Sequence, residues 1–252
     1  MHYYTIPPFE HLGLDTKAQH YLVVAQWVEQ SEALLIFYRK RIQEGAKVIL
    51  DNGVHEFREV YPIDKYLDMA KDLGVEILVA PDVWGDADKT AEVALDFWHS
   101  LSKEDKEQFD IMGVPHGRNL NEFNRCFQEL EEFPIIGLAK DEWGDKTGYI
   151  RPWMTRCLDD EDDNYDRFHL LGLTHVNELT CCNPRTTRSF DTSMPYKAAM
   201  MGCVIDRTSE VSGKYEVDGV MTFKQRKAAL HNCKALRRLA DGPKRELWRN
   251  IE

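Results

Sequence analysis

Three aspartates stand where short apolar runs end: Asp51 after Val48-Ile49-Leu50, Asp82 after the run from Val75 to Pro81, and Asp191 after Ser189-Phe190. A carboxylate in such a place can attack a sugar carbon to form an ester, or it can give and recover a proton. These two uses together are the chemistry of retaining glycosyl transfer. A carboxylate can also accept hydrogen bonds from a ligand, which suits guanine, whose N1–H and exocyclic amine are paired donors. Asp51 or Asp82 alone is at least as well read as the N-cap of a following helix. Three at strand ends favour a site. Other runs deliver His116-Gly117, Gly137-Leu138 with Lys140 and Asp141 beyond, and Thr174-His175. Glycine at a strand end lets backbone groups approach a flat base closely.

These residues need a scaffold that presents strand ends together. Short apolar runs alternate with amphipathic stretches throughout the chain, the pattern of parallel strands joined by crossover helices. Strands are predicted at 48–50, 75–80, 109–114, 135–138, 168–173 and 189–191. Helices are predicted over 16–30, 31–44 (capped by Ser31), 63–73 (closed by Gly74), 86–101, 119–132, 222–240 and 244–251. A (β/α)8 barrel needs two further strands, for which Tyr3–Ile6 and Cys203–Ile205 are the candidates. The expectation is an α/β TIM-type barrel, a single domain over 1–252 with the basic helices of 222–252 packed on it. An open doubly wound sheet is the alternative, but the chain has no G-x-G-x-x-G turn.

With 43% hydrophobic residues the chain can bury a full core. It has no apolar run long enough to cross a membrane, and Met1-His2-Tyr3-Tyr4 lacks a signal-peptide pattern, so a cytoplasmic protein is expected. The six cysteines form no C-x-x-C pair. No metal site, structural zinc or other cofactor is therefore expected. Net charge is −11, against indiscriminate nucleic-acid binding, but residues 221–252 carry nine Lys/Arg and three acids. That basic segment is either a solvated helix face or a seat for a phosphate backbone. The run Leu158 to Asn164 is acidic and reads as a surface loop.

Six segments, in order over residues 50–195, resemble the motifs of the tRNA-guanine transglycosylase superfamily. They are Leu50-Asp51-Asn52-Gly53, Ala80-Pro81-Asp82, Met112-Gly113-Val114-Pro115-His116-Gly117, Ile136-Gly137-Leu138-Ala139, His169-Leu170-Leu171-Gly172, and Ser189-Phe190-Asp191-Thr192-Ser193-Met194-Pro195. The resemblance implies that Asp191 is the nucleophile and Asp51 the general acid and base. It implies that Asp82 reads the base, with His116 in place of the family's glutamine and Gly117 beside it. Gly137 and Leu138 would offer backbone groups, Leu171 an apolar surface, and either His55 or Phe57 a stacking ring. The family's C-x-C-x-x-C…H zinc site is missing, and the chain is more similar to the compact, phage-type DpdA branch, which puts 7-deazaguanines into DNA.

On that resemblance the partners are DNA (or RNA) and a free 7-deazaguanine, without a membrane, and a homodimer is compatible. Lys224, Arg226, Lys227, Lys234, Arg237, Arg238, Lys244 and Arg245 would contact the nucleic-acid backbone. Three other functions stay open: the same exchange on tRNA, hydrolysis of a nucleoside or sugar glycoside, and a non-catalytic purine-binding barrel.

Overall fold

A computed structural model describes residues 1–140, 150–157, 166–206 and 219–241. Eight parallel strands close into a barrel in chain order: β1 (His2–Thr5), β2 (His20–Val24), β3 (Lys47–Asp51), β4 (Ile77–Val79), β5 (Asp110–Gly113), β6 (Ile135–Leu138), β7 (Phe168–Leu170) and β8 (Thr187–Thr192). The fold is thus a (β/α)8 TIM-type barrel. Among the described residues no helix is long and apolar enough to cross a membrane.

The chain divides into two compact units. One comprises 4–6 and 18–146. Its strands β2 to β5 are almost wholly buried, as parallel strands covered on both faces must be. The β2–β3 register sets Val24 beside Asp51. Tyr66, fully buried on the helix Ile63–Leu73, ties β3 to β4: its hydroxyl lies 2.6 Å from the Leu50 carbonyl and 3.0 Å from that of Val79. Three helices begin at side-chain caps, the first of them at Ser31 as expected. Ser31 accepts from the Leu34 amide, Asp86 from Lys89, and Asn119 from Asn121 and Glu122.

The second unit comprises 1–3, 7–17 and 147–252. Its β7–β8 ladder carries a register shift between Phe168 and His169. Phe168 faces Thr187, but His169 faces Ser189 and Leu170 faces Phe190. The extra residue on β8, Arg188, turns Ser189 and Asp191 to the face that carries His169. Bulges commonly re-aim side chains in this way. The long helix Phe223–Asp241 buries Ala229, Cys233 and Leu236, and Ala229 and Cys233 share a core cluster with Tyr196 and Ala199 of the helix Met194–Met200. Asn232 stitches this packing: its amide donates to the Pro195 and Cys203 carbonyls, and its oxygen accepts the Ile205 amide.

Two expectations are corrected. Residues 16–30 are not one helix, because His20–Val24 is β2 and the helix is Ala25–Gln30. The continuous apolar run Tyr21-Leu22-Val23-Val24 suits a strand buried on both faces better than one face of a helix. Cys203–Ile205 is not a strand, since its amide at Ile205 goes to the Asn232 side chain and not to a ladder. The expected strand at Tyr3–Ile6 is β1. The expected helix 244–251 and the acidic run 158–164 lie outside the described residues.

Candidate active site

In the unit that holds β2 to β6, the turn after β3 places Asp51 and Asn52. The Asp51 carboxylate accepts the Gly53 amide at 2.7 Å, and the Asn52 side-chain oxygen accepts that of Val54 at 2.9 Å. Gly53 has φ +75°, and a Cβ there would lie 2.2 Å from the Gln26 side-chain oxygen, so only glycine fits. Gln26 donates to the Asn52 carbonyl at 2.9 Å, and among the described residues its own buried oxygen has no hydrogen-bond partner. Burial, with the Asp51 and Asp82 charges adding to it, pushes the Tyr66 phenol well above its ordinary value, so Tyr66 serves as a neutral clamp.

Asp82, three residues beyond the end of β4, is buried with both carboxylate oxygens engaged. Oδ1 accepts from the Asn52 amide at 3.1 Å, and Oδ2 lies 2.8 Å from His116 Nε2. Each oxygen has a second lone pair for a ligand N–H. His116 is wholly buried, and the Trp84 ring lies against it at 5.3 Å. Trp84, 37% exposed, also meets the His55 ring at 5.1 Å and the Arg58 guanidinium at 5.6 Å. His55 is thus the residue set against this aromatic face, while Phe57 is half-buried. Gly117 has a packing role, since a Cβ there would lie 2.4 Å from the Phe123 amide of the next helix. Gly137 and Leu138 are buried in β6.

In the other unit, Asp191 lies near the end of β8 with its side chain 3% exposed. Its contacts converge on a single oxygen. Oδ1 lies 3.0 Å from His169 Nε2 and accepts the Gly172 amide at 3.0 Å. Among the described residues Oδ2 has no hydrogen-bond partner. The other ring nitrogen of His169 lies 2.7 Å from the Ser189 hydroxyl, giving a buried row Ser189–His169–Asp191.

The loop that supplies Gly172 is itself held. Arg151 donates to the Leu171 carbonyl and forms a two-pronged ion pair with Glu178, both bonds 2.8 Å. Glu178 is completely buried, and burial lifts its carboxyl above the ordinary range while Arg151 opposes the shift. Leu171, expected as an apolar surface, is partly exposed at this point. Burial also pushes the Cys182 and Cys233 thiols up to about 12, which keeps both protonated.

Of the basic residues, Lys224, Arg226, Lys227, Lys234 and Arg238 are exposed on the helix Phe223–Asp241. Lys224, Lys227, His231, Lys234 and Arg238 recur every three or four positions and so form one stripe. Arg237 faces elsewhere, paired with the buried Asp15. Lys244 and Arg245, and likewise Asp141, lie outside the described residues.

Sequence reasoning missed His169, Ser189, Asn52 and the Arg151–Glu178 pair as supports. The spacing of Ser189 and Asp191, two apart on a strand, was the one available signal that they share a face. Fold and side chains define the class as a (β/α)8 barrel with two buried His–carboxylate pairs. No protein-family model matches the chain, and no curated protein matches it.

Proposed function

We propose that this protein is a base-exchange transglycosylase that replaces guanine in DNA with a 7-deazaguanine. The observation that carries the proposal is the state of Asp191, a strand-end carboxylate with one oxygen fixed by two donors and the other without a hydrogen-bond partner among the described residues. That is the condition of a nucleophile aimed with a defined oxygen. Asp51 and Asp82, at and just beyond the ends of β3 and β4, fill the remaining roles in the order of the resembling family.

In the first half-reaction an Asp191 carboxylate oxygen bonds to C1′ as the C1′–N9 bond breaks. The electron pair goes to the departing guanine, which takes a proton from the Asp51 carboxyl. In the second, the 7-deazaguanine returns a proton to Asp51, its N9 bonds to C1′, and the Asp191 ester breaks. Asp82 accepts hydrogen bonds from the base through the lone pairs that Asn52 and His116 leave open. A base inside a duplex is out of reach, so the target nucleotide is flipped out. The basic stripe of Phe223–Asp241 favours a polyanionic substrate, and the resemblance to the DNA-modifying branch favours DNA over tRNA.

The test is to trap the intermediate. Protein, guanine-containing DNA and a labelled 7-deazaguanine are mixed and quenched under denaturing conditions, with tRNA in a parallel arm. The expected result is a DNA adduct on the peptide that contains Asp191, and label incorporated into DNA. Label in tRNA alone would move the reaction to RNA. Release of guanine with water as the acceptor would make the protein a hydrolase, and neither adduct nor release would remove the enzymatic reading.

A further inference from the structure

We infer that His169 is a positioning residue that decides which oxygen of Asp191 reacts. The inference deepens the proposed reaction and rests on Asp191 being its nucleophile. The role comes from this chain's own contacts and not from the resemblance.

The bulge on β8 sets Ser189 and Asp191 on the same face as His169, and the ring spans the two. A carboxylate accepts hydrogen bonds, whereas a serine hydroxyl gives or accepts them. The nitrogen facing Asp191, Nε2, therefore carries the proton. In the neutral ring Nδ1 is then the acceptor, and Ser189 donates to it. In the protonated ring Ser189 accepts instead, and Nε2–H still points at Oδ1. Ser189 thus adapts to either charge state while the bond to Asp191 keeps its direction.

The Gly172 amide aims at that same oxygen, so Oδ1 holds both donors and Oδ2 is left to form the bond to C1′. In the covalent intermediate Oδ1 becomes the ester carbonyl oxygen and keeps both donors. When the ester breaks, the returning charge meets hydrogen bonds already in place, as electrostatic preorganisation requires. The row is not a serine-nucleophile triad: Ser189 is buried, and its oxygen is committed to Nδ1, at the far side of the ring from Asp191.

His169→Leu, His169→Gln and Ser189→Ala separate positioning from mere packing. Base exchange gives kcat and KM for each, and side-chain 15N spectra of His169 in unliganded wild type and Ser189→Ala give the tautomer. The expected kcat of His169→Leu falls about 100-fold or more with KM within about threefold, and His169→Gln, which keeps an N–H donor, recovers to within about tenfold of wild type. The neutral ring is expected with its proton on Nε2 in wild type and in Ser189→Ala alike, because the Asp191 carboxylate can only accept. The inference is overturned by a neutral wild-type ring protonated on Nδ1. Equally fatal is a folded His169→Leu, judged by its thermal transition, that turns over within about threefold of wild type. If His169→Leu does not fold, His169→Gln and Ser189→Ala decide: a His169→Gln whose kcat falls by more than about tenfold, or a neutral Ser189→Ala ring protonated on Nδ1, overturns it. A wild type without base exchange sinks the transglycosylase reading alone, and the 15N spectrum still decides the His169 arrangement.

Discussion

Two buried histidines each hold an aspartate, and they do so differently. His116 holds Asp82 by Oδ2 while Asn52 takes Oδ1, so both oxygens are tied. His169 and Gly172 both hold Asp191 by Oδ1. A carboxylate tied at both ends keeps its plane and its charge in place, which suits recognition of a ligand with fixed donors. A carboxylate tied at one end is oriented and still has an oxygen to spend on a bond. What stands behind each histidine differs as well. His116 leans on Trp84, whose ring is partly open to solvent, whereas His169 is backed by a buried hydroxyl.

The sharpest way to break this contrast is to neutralise each carboxylate. Asp191→Asn is expected to lower kcat by about 10⁴-fold, the scale of losing a nucleophile. Asp82→Asn is expected to act mainly on KM for the incoming base, by about 10- to 100-fold, the scale of hydrogen bonds to a charged group. Steady-state kinetics with both substrates varied checks the pair, and equal losses of kcat would erase the distinction.

The supports behind the pairs come next. Arg151→Met strands Glu178 as a buried carboxylate and is expected to cost about 3–5 kcal/mol at neutral pH. Without Arg151 the folded-state pKa of Glu178 rises further above the unfolded value, so this stability is intact at low pH and is lost as pH rises. The deficit relative to wild type should therefore shrink toward pH 4.5, the ordinary value of this carboxyl, and grow above it, as read by denaturant unfolding across that range. Asn52→Ala unpairs the Ala80 carbonyl and the Val54 amide and is expected to cost less, about 1–3 kcal/mol. The smallest effect is expected from Trp84→Ala, which should weaken binding of single-stranded DNA by about 1 kcal/mol, with Asp82 still in place. Fluorescence titration checks it, and unchanged affinity would show that the Trp84 face does not meet the polymer.

The regular repeat of apolar runs and caps made most of the barrel legible. Ser31, Asp86 and Asn119 announce their helices, and Val48-Ile49-Leu50 and Ile135-Ile136 can only be buried strands in such a context. Residues 16–30 misled because Gln19 and His20 at one end and Gln26, Glu29 and Gln30 at the other mimic the polar face of a helix. The apolar run Tyr21-Leu22-Val23-Val24 between them is read correctly only when a neighbouring strand is present to pair with it. Cys203–Ile205 misled for the opposite reason, being apolar and short with no ladder to join.

By itself, then, the sequence determined most of the order of strands and helices, β2 and Cys203–Ile205 excepted, since that order follows from local periodicity and short-range capping. It placed Asp51, Asp82 and Asp191 as the carboxylates to watch. Which oxygens are tied, and by what, was decided by the tertiary structure alone. His116 lies 34 residues from Asp82, His169 lies 22 from Asp191, and Arg151 lies 27 from Glu178. Hydrogen bonds over such separations depend on strand register, and a single bulged residue, Arg188, sets the register that brings His169, Ser189 and Asp191 to one face.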